Sequence, residues 1–234
     1  VERYDIDGVH MDDYFYPYPS YNEGADFPDD ATWEAYQAAG GDLSRGDWRR
    51  KAVDDFVERL YDGIKDTKEE VEFGLSPFGI WRPGHPPSIQ GFDQYDQLYA
   101  DAKLWLNEGW VDYYTPQLYW GIAQVPQSFP VLLAWWKDQN YDDRNLWPGL
   151  GTHKIAGGSY DVNEIVSQIM VTRGITPERP GHTHFSVKHL VNNVDGLKDE
   201  LMAGPYKNQA LMPRSPWLDD DAPDAPKVDM NTVG

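Results

Sequence analysis

Cysteine is absent from the 234 residues. That removes disulfides, thiolate zinc sites and cysteine nucleophiles together, while leaving the compartment open. Basic residues are few: 20 Lys and Arg stand against 39 Asp and Glu, a formal net charge of −19. Phosphate backbones and anionic membrane surfaces both call for a basic face, so the charge argues against nucleic acid as a partner and disfavours docking on anionic membranes. The excess of acid serves solubility and says nothing about fold. No apolar run approaches the ~18 residues that cross a bilayer. No membrane insertion is expected, and no signal peptide is legible.

Aromatic residues are plentiful, with 10 Trp and 15 Tyr. This number exceeds what scattered surface positions absorb, so many must be buried or must form a binding surface. Short apolar runs alternate with longer amphipathic segments. Residues 4–12, 71–76, 111–119, 146–150 and 181–187 read as strands. Residues 47–65 read as a helix with Val53, Phe56, Val57, Leu60 and Ile64 at helical spacing and Asp47 as its N-cap. Residues 94–108 read as a helix stopped by Gly109, and 129–140, 162–172 and 195–202 as three more. Strand and helix alternate without hairpins, which predicts an α/β fold with a parallel sheet and right-handed crossovers. Two domains are marked out: 1–210, the β/α array, and 211–234, a Pro- and Asp-rich stretch that reads as an extended, irregular tail or linker. Five β/α units leave the sheet with open edges, which makes self-association through those edges an expectation.

The densest cue is YDIDGVHMDDYFYPYP at residues 4–19. An apolar-punctuated run (Ile6, Val9, Met11) ends at Asp12 and Asp13, then opens into Tyr14, Phe15, Tyr16, Pro17, Tyr18 and Pro19. Carboxylates at the carboxyl end of a barrel strand read as catalytic, and flat aromatic faces beside them suit pyranose C–H surfaces. Glycoside hydrolysis needs two carboxyl groups. Strand neighbours point to opposite faces. With Val9 and Met11 toward the helices, His10 and Asp12 face the other side. Asp12 is therefore the favoured catalytic acid, and His10 and Asp13 join it as catalytic candidates. Asp13 also reads as a neighbour of Asp12, a cap or a loop anchor. Two close carboxylates raise one pKa, as a general acid requires. Asp112 sits early in its strand and reads as structural; Glu23 and Asp26 are loop acids able to swing in. Tyr14, Tyr16, Trp81, Tyr119 and Trp120 are candidate sugar platforms, and Tyr14, Trp81, Gln117, Tyr119 and Trp120 are expected around Asp12. Gln117 and His184 are candidate donors to hydroxyl or N-acetyl groups, Arg82 a partner for a sugar carboxylate, and His153 a further binding candidate. No cofactor is called for. His10, Asp12, Asp13 and His184 are hard-ligand types, which keeps metal-assisted hydrolysis as an alternative, although no tight ligand spacing occurs. A non-catalytic carbohydrate-binding module is the other alternative.

The blocks DGVHMDDYFYPYP, FGLSPFGIWRPG, GFDQYDQLYADAKLW, EGWVDYYTPQLYW, QSFPVLLAWW, LWPGLGTHKI, GHTHFSVKHL and GPYKNQALMPRSPWLD carry a resemblance to the glycosyl-hydrolase-like 10 family of bacterial envelope proteins. The resemblance implies a (β/α)8 barrel of which this chain holds strands four to eight, the first three units having no counterpart and residues 216–234 resembling the run-in to an accessory domain. It implies hydrolysis of glycosidic bonds in a polysaccharide partner, with peptidoglycan glycan strands suggested as substrate. It also implies export, to the periplasm, the cell surface as a lipoprotein, or the medium. More distantly, residues 7–14 resemble the D-G-x-D-x-D-x-E strand of glycoside hydrolase family 18. Asp7, Gly8 and Asp12 fit that pattern, but His10 and Tyr14 replace its other acids, so that family's proton donor has no equivalent.

Overall fold

The structure is a computed structural model, and it describes residues 1–221. Strand β1 (Gly8–Met11) is followed by helix α1 (Asp30–Ala38) and the long helix α2 (Arg45–Thr67), then β2 (Glu72–Leu75). Helices α3 (Gln94–Gln97) and α4 (Ala102–Asn107) lead to β3 (Tyr113–Tyr114), and α5 (Phe129–Asp138) leads to β4 (Asn145–Leu146) and β5 (Gly149–Leu150). The chain ends with α6 (His153–Ala156), α7 (Val162–Ile175), β6 (Thr183–His184), α8 (Val187–Val191) and α9 (Leu197–Ala203). All paired strands are parallel, in the order β1-β2-β3-β4 and β5-β6. Single bridges from Gln117 to Phe78 and to Gly149 carry the pairing onward past β3. Spatial order follows chain order, as successive right-handed βαβ units produce. Among the described residues β1 pairs only with β2 and β6 only with β5.

The core lies between sheet and helices. Phe73 and Leu75 of β2, Tyr114 of β3, Leu146 of β4 and Leu150 of β5 meet Val57, Ile64, Trp105, Leu132, Trp136, Ile165 and Ile169, all buried. Each such side chain contributes about 2 kcal/mol by leaving water. Val9 and Met11 pack against this core, and His10 lies on the opposite face with Tyr113 and Ser76, as period-two alternation dictates. That inner face borders a hollow of about 540 Å³ lined by Gly8, His10, Glu72, Tyr113, Trp147 and His182. Gly74 is required there: the Tyr113 ring lies across it, 2.1 Å from where a Cβ would sit.

Four local readings are corrected. The N-cap of α2 is Ser44, whose hydroxyl accepts from Asp47 N at 3.1 Å; Asp47 sits in the first turn, and Phe56, counted with the buried face, is exposed. The helix expected over 94–108 breaks between α3 and α4, with Tyr99 at φ 51°. The strand expected over 146–150 is split around Trp147 and Pro148, where proline supplies no N–H to a neighbour. Helix α1 lies in a stretch to which the sequence assigns no element. It has no buried residue and so no apolar stripe to betray it.

Of the tail expected from residue 211, residues 222–234 lie outside the described residues. Residues 211–221 form neither helix nor strand, yet the Ser215 hydroxyl donates to Glu72 at 2.8 Å and Trp217 Nε1 donates to Asp112 Oδ1 at 2.7 Å. Asp112, fully buried, also accepts from Phe73 N at 2.7 Å and pairs with Lys65 at 2.6 Å. It ties together the base of the array, opposite the strand ends that carry Asp12 and Asp13.

Candidate active site

Strand β1 ends at Met11, so Asp12 and Asp13 lie beyond regular strand geometry. Alternation no longer separates them. Both line one cleft of about 300 Å³ with Tyr14, Tyr18, Gln117, Tyr119 and Phe185. Their environments differ. Asp12 is exposed, accepting from Gln117 Nε2 at 2.8 Å and from Asp13 N at 3.0 Å. Asp13 is 4% exposed, and the Tyr18 hydroxyl donates to its Oδ2. Burial pushes the Asp13 carboxyl above the usual range, and the neighbouring Asp12 charge adds to that; the Tyr18 hydrogen bond pulls the other way. Burial in turn raises the Tyr18 and Tyr119 phenols, the Asp13 carboxylate adding to both.

Each wall has a local cause. The 3-10 turn Pro19–Asn22, with proline at its start, folds the aromatic loop back so that Tyr18 and Tyr21 meet edge to face at 5.9 Å. The Tyr18 ring leans on Phe92, which meets Phe78 and then Trp120. Gln117 is fixed by its backbone bridges and by a second side-chain bond to Ser76 O at 3.0 Å. Tyr119 stacks on Phe185 at 5.5 Å, with His153 edge-on to both. The loop after Tyr119 is locked from outside: Glu164 on α7 accepts from Ile122 N at 2.8 Å, and Gln168 donates to Trp120 O at 3.1 Å.

The structure brings Asp12, Asp13, Tyr14, Gln117 and Tyr119 together. It separates the others. Trp81 is not at Asp12: its indole N–H is taken by Asp101 at 2.9 Å and its ring stacks on Trp135. Trp120 does not line the cleft either; it packs on Phe78 and crowds Gly79. Arg82 is held by Asp93 and Asp96. His10 bonds Ser76 at 2.9 Å and Tyr113 at 3.1 Å and faces the inner hollow. His153 sits behind Tyr119 and Phe185. His184 is pushed down to about 4 by burial and bonds the Tyr206 hydroxyl at 2.6 Å. Tyr16 and Asp26 belong to an adjacent groove, where Asp26 is paired with Arg49 at 2.7 Å. Among the described residues no three His, Asp or Glu side chains form a metal-holding group.

Reasoning from sequence missed Tyr18, Ser20, Tyr21 and Phe185 as cleft residues. Tyr18 was within the flagged aromatic run, but nothing local announces that its hydroxyl reaches Asp13. Phe185 carried no signal beyond its place next to His184.

Comparison with known proteins identifies the family. A family model described as Glycosyl hydrolase-like 10 matches residues 1–166. The chain is 40% identical over 240 aligned residues to a protein of Bacillus subtilis (strain 168) named glycosyl hydrolase YngK, covering 97% of this chain and 46% of that one. It is 36% identical over 219 residues to glycosyl hydrolase DigH of Escherichia coli (strain K12), covering 90% of this chain and 47% of that one. The chain thus spans about half the length of these relatives. With a family match over most of its length and relatives of this identity, the chain belongs to the glycosyl hydrolase-like 10 family.

Proposed function

We propose that this chain carries the acid-bearing site of a glycoside hydrolase acting on a bacterial cell-wall or related polysaccharide, peptidoglycan glycan strands being the favoured substrate. The observation that supports this reading is the unlike pair of carboxylates in one aromatic cleft: Asp13 buried and raised in pKa, Asp12 exposed and held by Gln117. Environments that push two acids apart are how one site supplies both a proton and a negative charge. Asp13 holds a proton at neutral pH more readily than an exposed aspartate and donates it to the leaving glycosidic oxygen. Asp12 is the carboxylate that faces the positively charged sugar ring as the bond opens. The stacked pair Tyr119 and Phe185 and, in the same cleft, Tyr14 offer the pyranose aromatic surface. This reverses the order of weight between the two acids: burial, which sequence does not display, makes Asp13 the better donor.

In the same proposal the parallel array corresponds to strands four to eight of a (β/α)8 barrel, with the acids at the carboxyl ends where such barrels work. A cell-wall substrate places the working protein outside the cytoplasm.

The test is hydrolysis of purified glycan strands, with and without stem peptides, by the wild-type chain and by Asp12→Asn and Asp13→Asn. Loss of a positioned acid is expected to lower kcat by about 10²–10⁴-fold, with glycan binding retained. Binding without turnover in every form, wild type included, would leave a carbohydrate-binding module instead.

A further inference from the structure

Beside the Asp12–Asp13 cleft runs a second, larger groove of about 450 Å³, within the size range of small-ligand sites. Tyr18 and Tyr21 line both hollows, so the two are continuous across a shared tyrosine wall. Its other aromatic faces are Tyr16, Phe27 and Tyr99. Two of its rings stay open to solvent, Tyr21 at 69% and Phe27 at 39% exposure. Asn22, Asp26 and Asp96 place polar side chains along the same groove.

The floor of this groove is built, not a gap between loops. Arg49 of α2 is 1% exposed beneath it. Its guanidinium donates to Asp29 at 2.7 and 2.8 Å, to Asp26 at 2.7 Å, to the Tyr99 hydroxyl at 2.5 Å and to Phe27 O at 3.2 Å. The Tyr99 and Tyr16 rings lie over it at 4.8 and 5.6 Å. These two rings meet edge to face at 4.9 Å, and Tyr16 meets Phe27 at 5.0 Å. One buried cation therefore fixes three aromatic residues and two carboxylates, Asp26 and Asp29. Tyr99 holds a positive φ, the break between α3 and α4, to bring its hydroxyl there. Preorganised aromatic faces with fixed hydroxyl acceptors are what binding an extended sugar chain requires, because little side-chain entropy is then lost on contact.

We infer that this groove is a second sugar-binding subsite for the glycan chain whose scissile bond lies at Asp12 and Asp13, taking those pyranose units that carry no carboxylate, which in a peptidoglycan strand is every second sugar. The inference rests on the hydrolase reading for its direction along the chain. Uncharged units fit because the rim carboxylates Asp26 and Asp96 already pair with Arg49, Arg50 and Arg82, so these arginines are taken and the groove offers a sugar carboxylate no spare cation. Tyr18 links the two halves: its hydroxyl holds Asp13 and its ring walls the groove.

The experiment measures binding by calorimetry and hydrolysis by product analysis. It uses the full chain and a chitin-type disaccharide and hexasaccharide. The variants are Phe27→Ala, which removes a face, and Ala25→Trp, which fills the groove from an exposed loop position; unfolding midpoints certify that each is folded. Wild type is expected to bind the hexasaccharide about tenfold more tightly than the disaccharide, and each variant to lose that advantage, since one aromatic contact is of the order of 1 kcal/mol. Disaccharide affinity is unchanged. If both folded variants keep the full advantage, or if wild type shows none, the subsite is overturned; hydrolysis still abolished by Asp13→Asn would then leave the catalytic reading standing. Length-dependent binding that the variants lose, with no turnover by wild type, supports the groove and removes the catalytic reading alone. A charged oligogalacturonate bound as tightly as the neutral hexasaccharide overturns the selectivity for uncharged units.

Discussion

At the scale of single residues, Asp13 sits between opposed influences. Burial and the Asp12 charge raise its pKa, and the Tyr18 hydroxyl lowers it by stabilising the ionised form. Removing that hydroxyl separates the two. In Tyr18→Phe the ring still packs on Phe92 and Tyr21, so burial is kept while the lowering contact is lost. The Asp13 pKa then rises further. A donor must be protonated, so activity falls as pH climbs through its pKa. The alkaline limb of the pH–rate profile is expected to move to higher pH in Tyr18→Phe, by up to about one unit for a hydrogen bond of ordinary strength. A shift to lower pH would contradict the assignment of Asp13 as donor.

At the scale of elements, the working loops are held by side chains from helices that never reach the cleft. Helix α7 holds the loop after Tyr119 through Glu164 and Gln168, which also bond each other at 2.9 Å. Glu164→Ala strips Ile122 N of its acceptor and frees Gln168. It is expected to cost about 1–2 kcal/mol in urea unfolding, and to raise KM for glycan more than it lowers kcat, because Tyr119 loses its fixed position while the acids keep theirs. An unchanged KM would show that the loop is held by its own packing. Helix α2 does the same for the aromatic loop through Arg49. Only α2's apolar stripe and its Ser44 cap are local; the reach of Arg49 to residues 26–29 and 99 is tertiary.

At the scale of the whole molecule, one end of the parallel array carries the acids and the other is tied by Asp112. That carboxylate joins Lys65 of α2, Phe73 of β2 and Trp217 from beyond α9. The Trp217 ring is flanked by Arg144 at 4.8 Å and Arg179 at 5.6 Å. Removing one partner of a buried pair leaves the other charge uncompensated, so Asp112→Ala is expected to lower the unfolding free energy by about 3–5 kcal/mol. Trp217→Phe, which loses the indole donor but keeps a ring, is expected to cost about 1 kcal/mol. Equal effects of the two in denaturant titrations would mean that the ion pair with Lys65 contributes little.

What the chain determined by itself is what depends on neighbours in sequence. Alternating apolar periods placed β1, β2, α2, α5 and α7, and with them the parallel order. The run from residue 4 to residue 19 placed acids and aromatics after the first strand, and the position of Asp112 early in its strand announced a structural role. Only the tertiary structure decided which of Asp12 and Asp13 is buried, because burial is set by Tyr18 and residues more than a hundred positions away. It also decided that Trp81, Arg82, Trp120 and His184 turn to other partners, since any indole, guanidinium or imidazole takes the nearest complementary group the fold supplies. The break at Tyr99 belongs here too: local helix propensity yields to a hydroxyl that a buried arginine, fifty residues earlier, holds in place.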